Sequence, residues 1–279
     1  MKAELHILGL AMLLPAACAH AQGAAPTPPA GERKTGSEMS ITLPGGAEME
    51  MIWCAPGSFA MGSPDTELGR LDDETRHMVS IKKGFWLGKY EVTQRQWESV
   101  MRSNPSKFKD PNRPVETVSW HDCAMFIRRV NAALPGMSVR LPTEAEWEYA
   151  CRAGSDNPVS GSGSIGDMAW YDMNSDSHTH EVGQNKPNAW GFYDMHGNVL
   201  EWCSDWFSVP SAVDVVDPKG PPIGSFKVLR GGCWFFLGSD CRCAYRLKRE
   251  PNLRNCIFGF RVASFDFDDM PSDPSVQQK

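Results

Sequence analysis

The sequence predicts an α+β fold of short strands and few helices with much irregular structure, and three observations carry that prediction. Brief strand-like runs alternate with Gly- and Pro-bearing turns over residues 41–81 and again over 226–263. Thr93, Ser119 and Thr143 each stand three residues before a Gln, Asp or Glu, the signature that opens a helix. Between Gly154 and Gln184 no regular period is visible.

Composition narrows the function classes. The chain has 279 residues, 41% of them hydrophobic, enough for one large core or two small ones. A formal charge of -6 with no basic cluster excludes nucleic acid and anionic membrane as main partners. Residues 1–21 read as an export signal, with Lys2, an apolar run from Ile7 to Ala17 and the small-x-small site Ala19-His20-Ala21, which predicts a periplasmic or secreted protein. Cys18 offers a lipoprotein alternative, disfavoured by Pro15 where a branched aliphatic residue belongs. No later segment has the length of a membrane span.

Taken in order, residues 22–40 form a flexible linker rich in Ala, Pro, Gly and Ser, and order begins at about Ile41. Ile41–Leu43 and Ala47–Cys54 flank Pro44-Gly45-Gly46 as a hairpin, a third strand runs through Phe59–Gly62, and Met78–Ile81 returns to strand after a polar, exposed stretch from Asp65 to Arg76. The Thr93 helix reaches about Met101. The Ser119 helix places Trp120, Cys123, Ala124, Ile127 and Val130 on one face, so Cys123 is a core residue. The Thr143 helix ends at Cys151, with Gly154 as the stop. His178-Thr179-His180-Glu181 suits a surface strand edge, with metal binding as the less favoured reading. A final unit holds a strand Lys227–Leu229, the turn Arg230-Gly231-Gly232, an aromatic strand Cys233–Phe236 and a closing strand Ile257–Ala263. The tail, residues 265–279, is acidic.

The segment from Asn188 to Trp206 organises the rest. Trp190, Trp202 and Trp206 with Phe192 and Tyr193 bring large apolar area, while Gly191, Gly197 and Asn198 permit angles that other residues avoid. Such a packed irregular turn leaves carbonyls in need of partners. Asp194 and Glu201 are hard carboxylate donors, and the carbonyls of Gly197 and Val199 lie between them, a mixture that calcium accepts. The plainer reading makes Asp194 an Asx turn and Glu201 a surface acid.

Eight cysteines remain once Cys18 is removed with the signal: 54, 123, 151, 203, 233, 241, 243 and 256. An exported chain with an even number points to disulfides, and the absence of a Cys-x-x-Cys pair argues against a zinc ribbon.

Six motifs, in order, resemble the formylglycine-generating enzyme (sulfatase-modifying factor) family: Pro56-Gly57-Ser58-Phe59-Ala60-Met61-Gly62-Ser63, Lys89-Tyr90-Glu91-Val92-Thr93, Arg140 through Tyr149, Gly197-Asn198-Val199-Leu200-Glu201-Trp202, Arg230-Gly231-Gly232 and Gly259-Phe260-Arg261. The resemblance covers residues 41–264. It implies a single C-type-lectin-like domain and a structural calcium ion held by Asp194, Gly197, Val199 and Glu201. A disulfide between Cys151 and Cys243 is implied in the same way, and a monomer is expected.

The archetypal activity oxidises a cysteine of a sulfatase-type client protein to formylglycine with molecular oxygen and copper(I) held by two cysteines. Counted from Gly231-Gly232, the first of these falls at Phe236 and the second at Cys241. Cys233, on a family serine position, is the candidate replacement for the missing thiol, with structural bridges formed or shared by Cys233, Cys241 and Cys256 as the favoured alternative. Two functions are therefore expected to compete. One is an oxidoreductase working through Cys241 and Cys233 with copper and a cysteine-containing client. The other is a non-catalytic, calcium-stabilised binding module.

Overall fold

The computed structural model describes residues 33–161 and 163–265. The predicted export signal, the linker up to residue 32 and the tail from residue 266 lie outside the described residues.

The ordered chain starts before Ile41. Strand β1 (Glu38–Thr42) pairs antiparallel with β2 (Glu48–Cys54), from Glu38 opposite Ile52 to Thr42 opposite Glu48. Upstream of it Gly36 N donates to Trp53 O at 3.0 Å. Arg33 is buried, its guanidinium over the Trp53 and Trp86 rings. Residues 33–40 are thus drawn down by aromatic contacts that their own composition does not announce.

β2 divides two cores. Met49, Met51 and Trp53 face one cluster with Trp97, Phe126, Trp202 and Phe260, whereas Ile52 and Cys54 face another with Trp147, Tyr149 and Phe192. This is the alternation of a strand covered on both sides. Strands β3 (Gly57–Met61) and β4 (His77–Ile81) follow as an antiparallel pair. β5 (Phe85–Gly88), which the sequence did not signal, is buried at all four residues. With both faces covered it has no polar alternation to betray it.

The three helices begin where their capping boxes place them. α1 is Gln94–Met101, α2 is Trp120–Ala133, and α3 is Glu144–Arg152; in each the cap side chain and the third residue exchange hydrogen bonds with backbone N–H groups. Cys123 is buried in the core on α2 as expected. α3 runs one residue past Cys151 and stops at Ala153, whose φ of 49° is left-handed.

All nine residues of α3 are buried, its acids included, because arginines from distant segments meet them. Arg152 Nη2 lies 2.8 Å from Glu148, Arg230 also binds Glu148, and Arg246 Nε reaches Glu144 at 2.5 Å. The stretch from Asp65 to Arg76 is likewise not simply exposed. Glu74 is 1% exposed and accepts from Ser63 Oγ at 2.6 Å and from both Arg242 Nη groups at 2.7 and 2.8 Å.

Past β6 (Val139–Arg140) and a short helix α4 (Ile165–Met168), β7 (Ala169–Trp170) pairs with β8 (His196–Gly197). β9 (Leu200–Trp206), β11 (Lys227–Arg230), β12 (Arg246–Arg249) and β13 (Phe258–Gly259) form a four-stranded sheet in the order β12-β11-β9-β13. β10 (Val215–Val216) joins β4. The predicted closing strand is two strands in different sheets: β13, and β14 (Ala263–Phe265), which completes the five-stranded order β1-β2-β5-β14-β6. Phe265, assigned from sequence to the tail, pairs with Phe85. The predicted aromatic strand Cys233–Phe236 is a turn, closed by Phe236 N donating to Cys233 O at 3.0 Å.

Candidate functional site

The turn from Asn188 is built on one side chain. Asn188 Oδ1 accepts from Trp190 N and Phe192 N, while its Nδ2 donates to Ala150 O and Cys151 O at the end of α3. Asp194, Gly197 and Asn198 follow with φ of 55°, 79° and 56°. Gly197 is required by space as well as by angle, since a Cβ there would sit 2.1 Å from Trp170 O.

Three carboxylates are buried about this turn, near enough that Glu91 feels the charges of the other two. Glu91, Asp194 and Glu201 are 1%, 2% and 0% exposed. Glu91 accepts from Asn198 Nδ2 at 2.9 Å and Val199 N at 3.2 Å, and so holds the left-handed residue in place. Asp194 Oδ2 accepts from Gly183 N at 2.7 Å, while its Oδ1 is buried with no hydrogen-bond partner. Glu201 is no surface acid: Arg261 binds both its oxygens at 2.7 Å, and Trp147 Nε1 donates to Oε2 at 2.8 Å. Burial pushes the Asp194 carboxyl up to about 6, against the pull of Gly183 N–H and Arg261. Burial, then the charges of Asp194 and Glu201, push Glu91 well above the usual carboxylate range.

The cysteine loop begins where β11 ends. Gly231 and Gly232 have φ of 96° and 75°, and a Cβ on Gly232 would fall 2.4 Å from Cys241 Sγ. Cys233 and Cys241 therefore lie in one tight loop, Cys241 at the end of a 3-10 turn, Gly238–Cys241. Both are fully buried. Burial pushes the Cys233 thiol up to about 12 and the Cys241 thiol well above its ordinary value, so neither is a thiolate near neutral pH. Phe236, partly buried, meets Tyr245 edge to face at 6.0 Å and accepts from Asp172 N at 3.0 Å. Its neighbours in sequence, Phe235 and Leu237, are 66% and 60% exposed.

Cys151 and Cys243, the pair for which the resemblance implies a disulfide, meet with their sulfurs 3.6 Å apart. Cys151 S–H donates to Cys243, and that bond holds the Cys243 thiol well below its ordinary value, while burial keeps Cys151 well above it. His196, which no sequence pattern singled out, stands 3.9 Å from Cys151 Sγ. Its Nδ1 faces Cys241 O at 2.7 Å, and since a carbonyl only accepts, Nδ1 carries the proton. Cys54, Cys123 and Cys203 are buried as free thiols, and Cys256 is partly exposed. His178 and His180 are not on a strand; His180 stacks on Trp170 with ring centroids 3.8 Å apart, and its Nε2 lies 2.8 Å from Ser175 O.

Residues 41–265 match the family model of the sulfatase-modifying factor enzyme 1-like domain. The chain is 32% identical over 232 residues to the chaperone protein LppX of Paenibacillus barcinonensis, a match covering 64% of this chain and 79% of that protein. It is 27% identical over 297 residues to the formylglycine-generating enzyme of Bos taurus, covering 80% of this chain and 77% of the other. It is also 32% identical to the serine/threonine-protein kinase Pkn1 of Chlamydia trachomatis, but spans only 38% of that protein's length. Among solved structures, Treponema denticola variable protein 1 superposes with a TM-score of 0.75 at 32% identity, covering 82% of this chain and 99% of that one. PvdO from Pseudomonas aeruginosa does so with a TM-score of 0.75 at 29% identity, covering 84% and 100%. The fold is that of these proteins.

Proposed function

The chain belongs to the sulfatase-modifying factor family, and within it we propose an exported binding domain that keeps the scaffold without the oxidative chemistry. The observation that carries this reading is the state of Cys241. Oxidation of a client's cysteine needs two thiols that hold copper(I) and that the client can reach. Cys241 is fully buried, and the position where the family resemblance puts its partner is Phe236. Cys233 shares the loop, but it too is buried.

What faces solvent there is apolar. Phe235 and Leu237, on either side of position 236, are exposed, and apolar side chains of this kind suit contact with a partner polypeptide. Among the described residues no helix is long and apolar enough to cross a membrane.

Calcium belongs to the same reading. Asp194 and Glu201 with the carbonyls of Gly197 and Val199 would hold it: all four are oxygen donors, the buried Asp194 Oδ1 is without a partner, and Glu201 would exchange part of its contact with Arg261 and Trp147 for the ion. Among the described residues Arg261 bonds to Glu201 and feels the charges of Glu91 and Asp194, all three carboxylates being buried. The ion would supply the missing positive charge and lock the turn that carries the cysteine loop.

The test is an aldehyde assay on a cysteine-containing sulfatase-type peptide, with oxygen and copper(I), comparing the wild type with Cys241→Ser. No aldehyde above background, and the same copper(I) affinity in both proteins, is the expected result. Aldehyde formation that disappears in Cys241→Ser would establish the oxidoreductase instead.

A further inference from the structure

We propose that the cavity between α2, β6 and residues 217–219 binds an amphipathic carboxylate, a small molecule with an apolar body and a single anionic end. None of its lining residues belongs to the calcium-type turn or to the cysteine loop, so the site stands whichever function that loop serves. Its volume is about 960 Å³, within the roughly 300–1,000 Å³ of sites that enclose a small molecule.

The lining is mostly apolar, and local structure explains why. Helical spacing puts Trp120, Ala124 and Ile127 on one face of α2, and the small side chain between two large ones leaves a recess. Ile81 at the end of β4 and Leu141 just past β6 add buried apolar surface to it. The more open walls are aromatic and held in place. Trp120 Nε1 donates to Cys203 O at 2.9 Å, and Lys227 Nζ stands 4.2 Å from the centre of its ring. Phe265, 39% exposed, takes the Arg140 guanidinium over its ring at 4.2 Å. Walls fixed before a ligand arrives lower the cost of binding one.

Charge decides which apolar molecule fits. Among the described residues the charged side chains that line the cavity are Lys83, Arg140, Glu146, Asp217 and Lys219. Three cations against two acids leave one positive charge to neutralise, which suits a monoanion. The acids are committed already. Glu146 accepts from both Nη groups of Arg140 at 2.6 and 2.7 Å and from Thr143 N at 2.8 Å, while Asp217 Oδ1 accepts from Lys82 N at 2.8 Å. Among the described residues the lysines in salt bridges are Lys89 and Lys186, so Lys83 and Lys219 keep their ammonium donors for a ligand. Both are exposed and come from separate segments of the chain. A carboxylate at the mouth meets these cations while its apolar body lies along Trp120, Ile127 and Leu141.

The experiment is isothermal calorimetry of the purified full chain with decanoate, and with 1-decanol as its neutral counterpart. Decanoate should saturate a single site and bind more tightly than decanol. Ala124→Trp, which fills the recess, should abolish binding of both. Lys83→Glu combined with Lys219→Glu should weaken decanoate by about tenfold or more and leave decanol unchanged. If Ala124→Trp does not fold, the lysine pair decides, since both residues are exposed. No saturable binding by the folded wild type overturns the proposal. So does decanoate binding that the lysine substitutions leave unchanged, or that a folded Ala124→Trp retains. Displacement of decanoate by a peptide of residues 266–279 would give the cavity to a polypeptide and overturn it as well.

Discussion

Arg261 grips Glu201 through two parallel contacts, Nε to Oε2 and Nη2 to Oε1, each 2.7 Å, with neither side chain exposed. The remaining N–H groups of Arg261 reach Gly88 O and Tyr193 O, both at 3.0 Å. One guanidinium thus ties β5, the Asn188 turn and β9 together. Arg261→Met leaves Glu201 charged, buried and unpaired, and should cost about 3–5 kcal/mol. Urea unfolding of the two proteins measures it, and a loss under about 1 kcal/mol would mean that the pair behaves as an exposed one.

Calcium should stabilise this turn and should need Asp194 to do so. At a hundredfold excess over its dissociation constant the ion contributes about 2.7 kcal/mol, read as a rise in the melting midpoint of chelator-treated protein. Asp194→Asn should lose that rise. Its calcium-free form should be no less stable than the wild type's, because one charge is gone from a group of three buried carboxylates. Identical midpoints with calcium and with chelator in the wild type would remove calcium from the account.

Asp205, on β9, sets a pH dependence of its own. Burial, then the charge of Glu144, push its carboxyl from 3.8 up to about 7. An acid whose folded value is raised stabilises the fold while protonated, so this contribution is complete below about 4 and is lost as pH rises through about 7. Asp205→Asn keeps a side-chain oxygen for the N–H of Glu144, which Asp205 Oδ2 accepts at 3.0 Å. Across that window the wild type should therefore lose stability relative to the variant. Denaturant midpoints on either side of the window test this, and a constant difference between the two proteins would contradict it.

The parts of the fold legible in the sequence are those fixed within a few residues. The capping boxes at Thr93, Ser119 and Thr143 act over three residues, and the helices begin where they say. The Pro44-Gly45-Gly46 turn sets its hairpin in the same local way, with Gly45 at φ 94°. β5 escaped because burial on both faces erases alternation, and Cys233–Phe236 was misread because aromatic content alone does not distinguish a strand from a packed turn.

By itself the sequence determined the family, through six short motifs in order, and with it the α+β fold. The tertiary structure decided what individual residues are able to do. Glu201 is a buried, paired acid because Arg261 comes from 60 residues away, and Cys241 is a buried thiol because Gly232 lets the chain fold over it. His196 joins Cys151 and Cys243 only in space. Burial and ionisation depend on long-range packing, and packing between segments far apart in the chain leaves no local pattern to read.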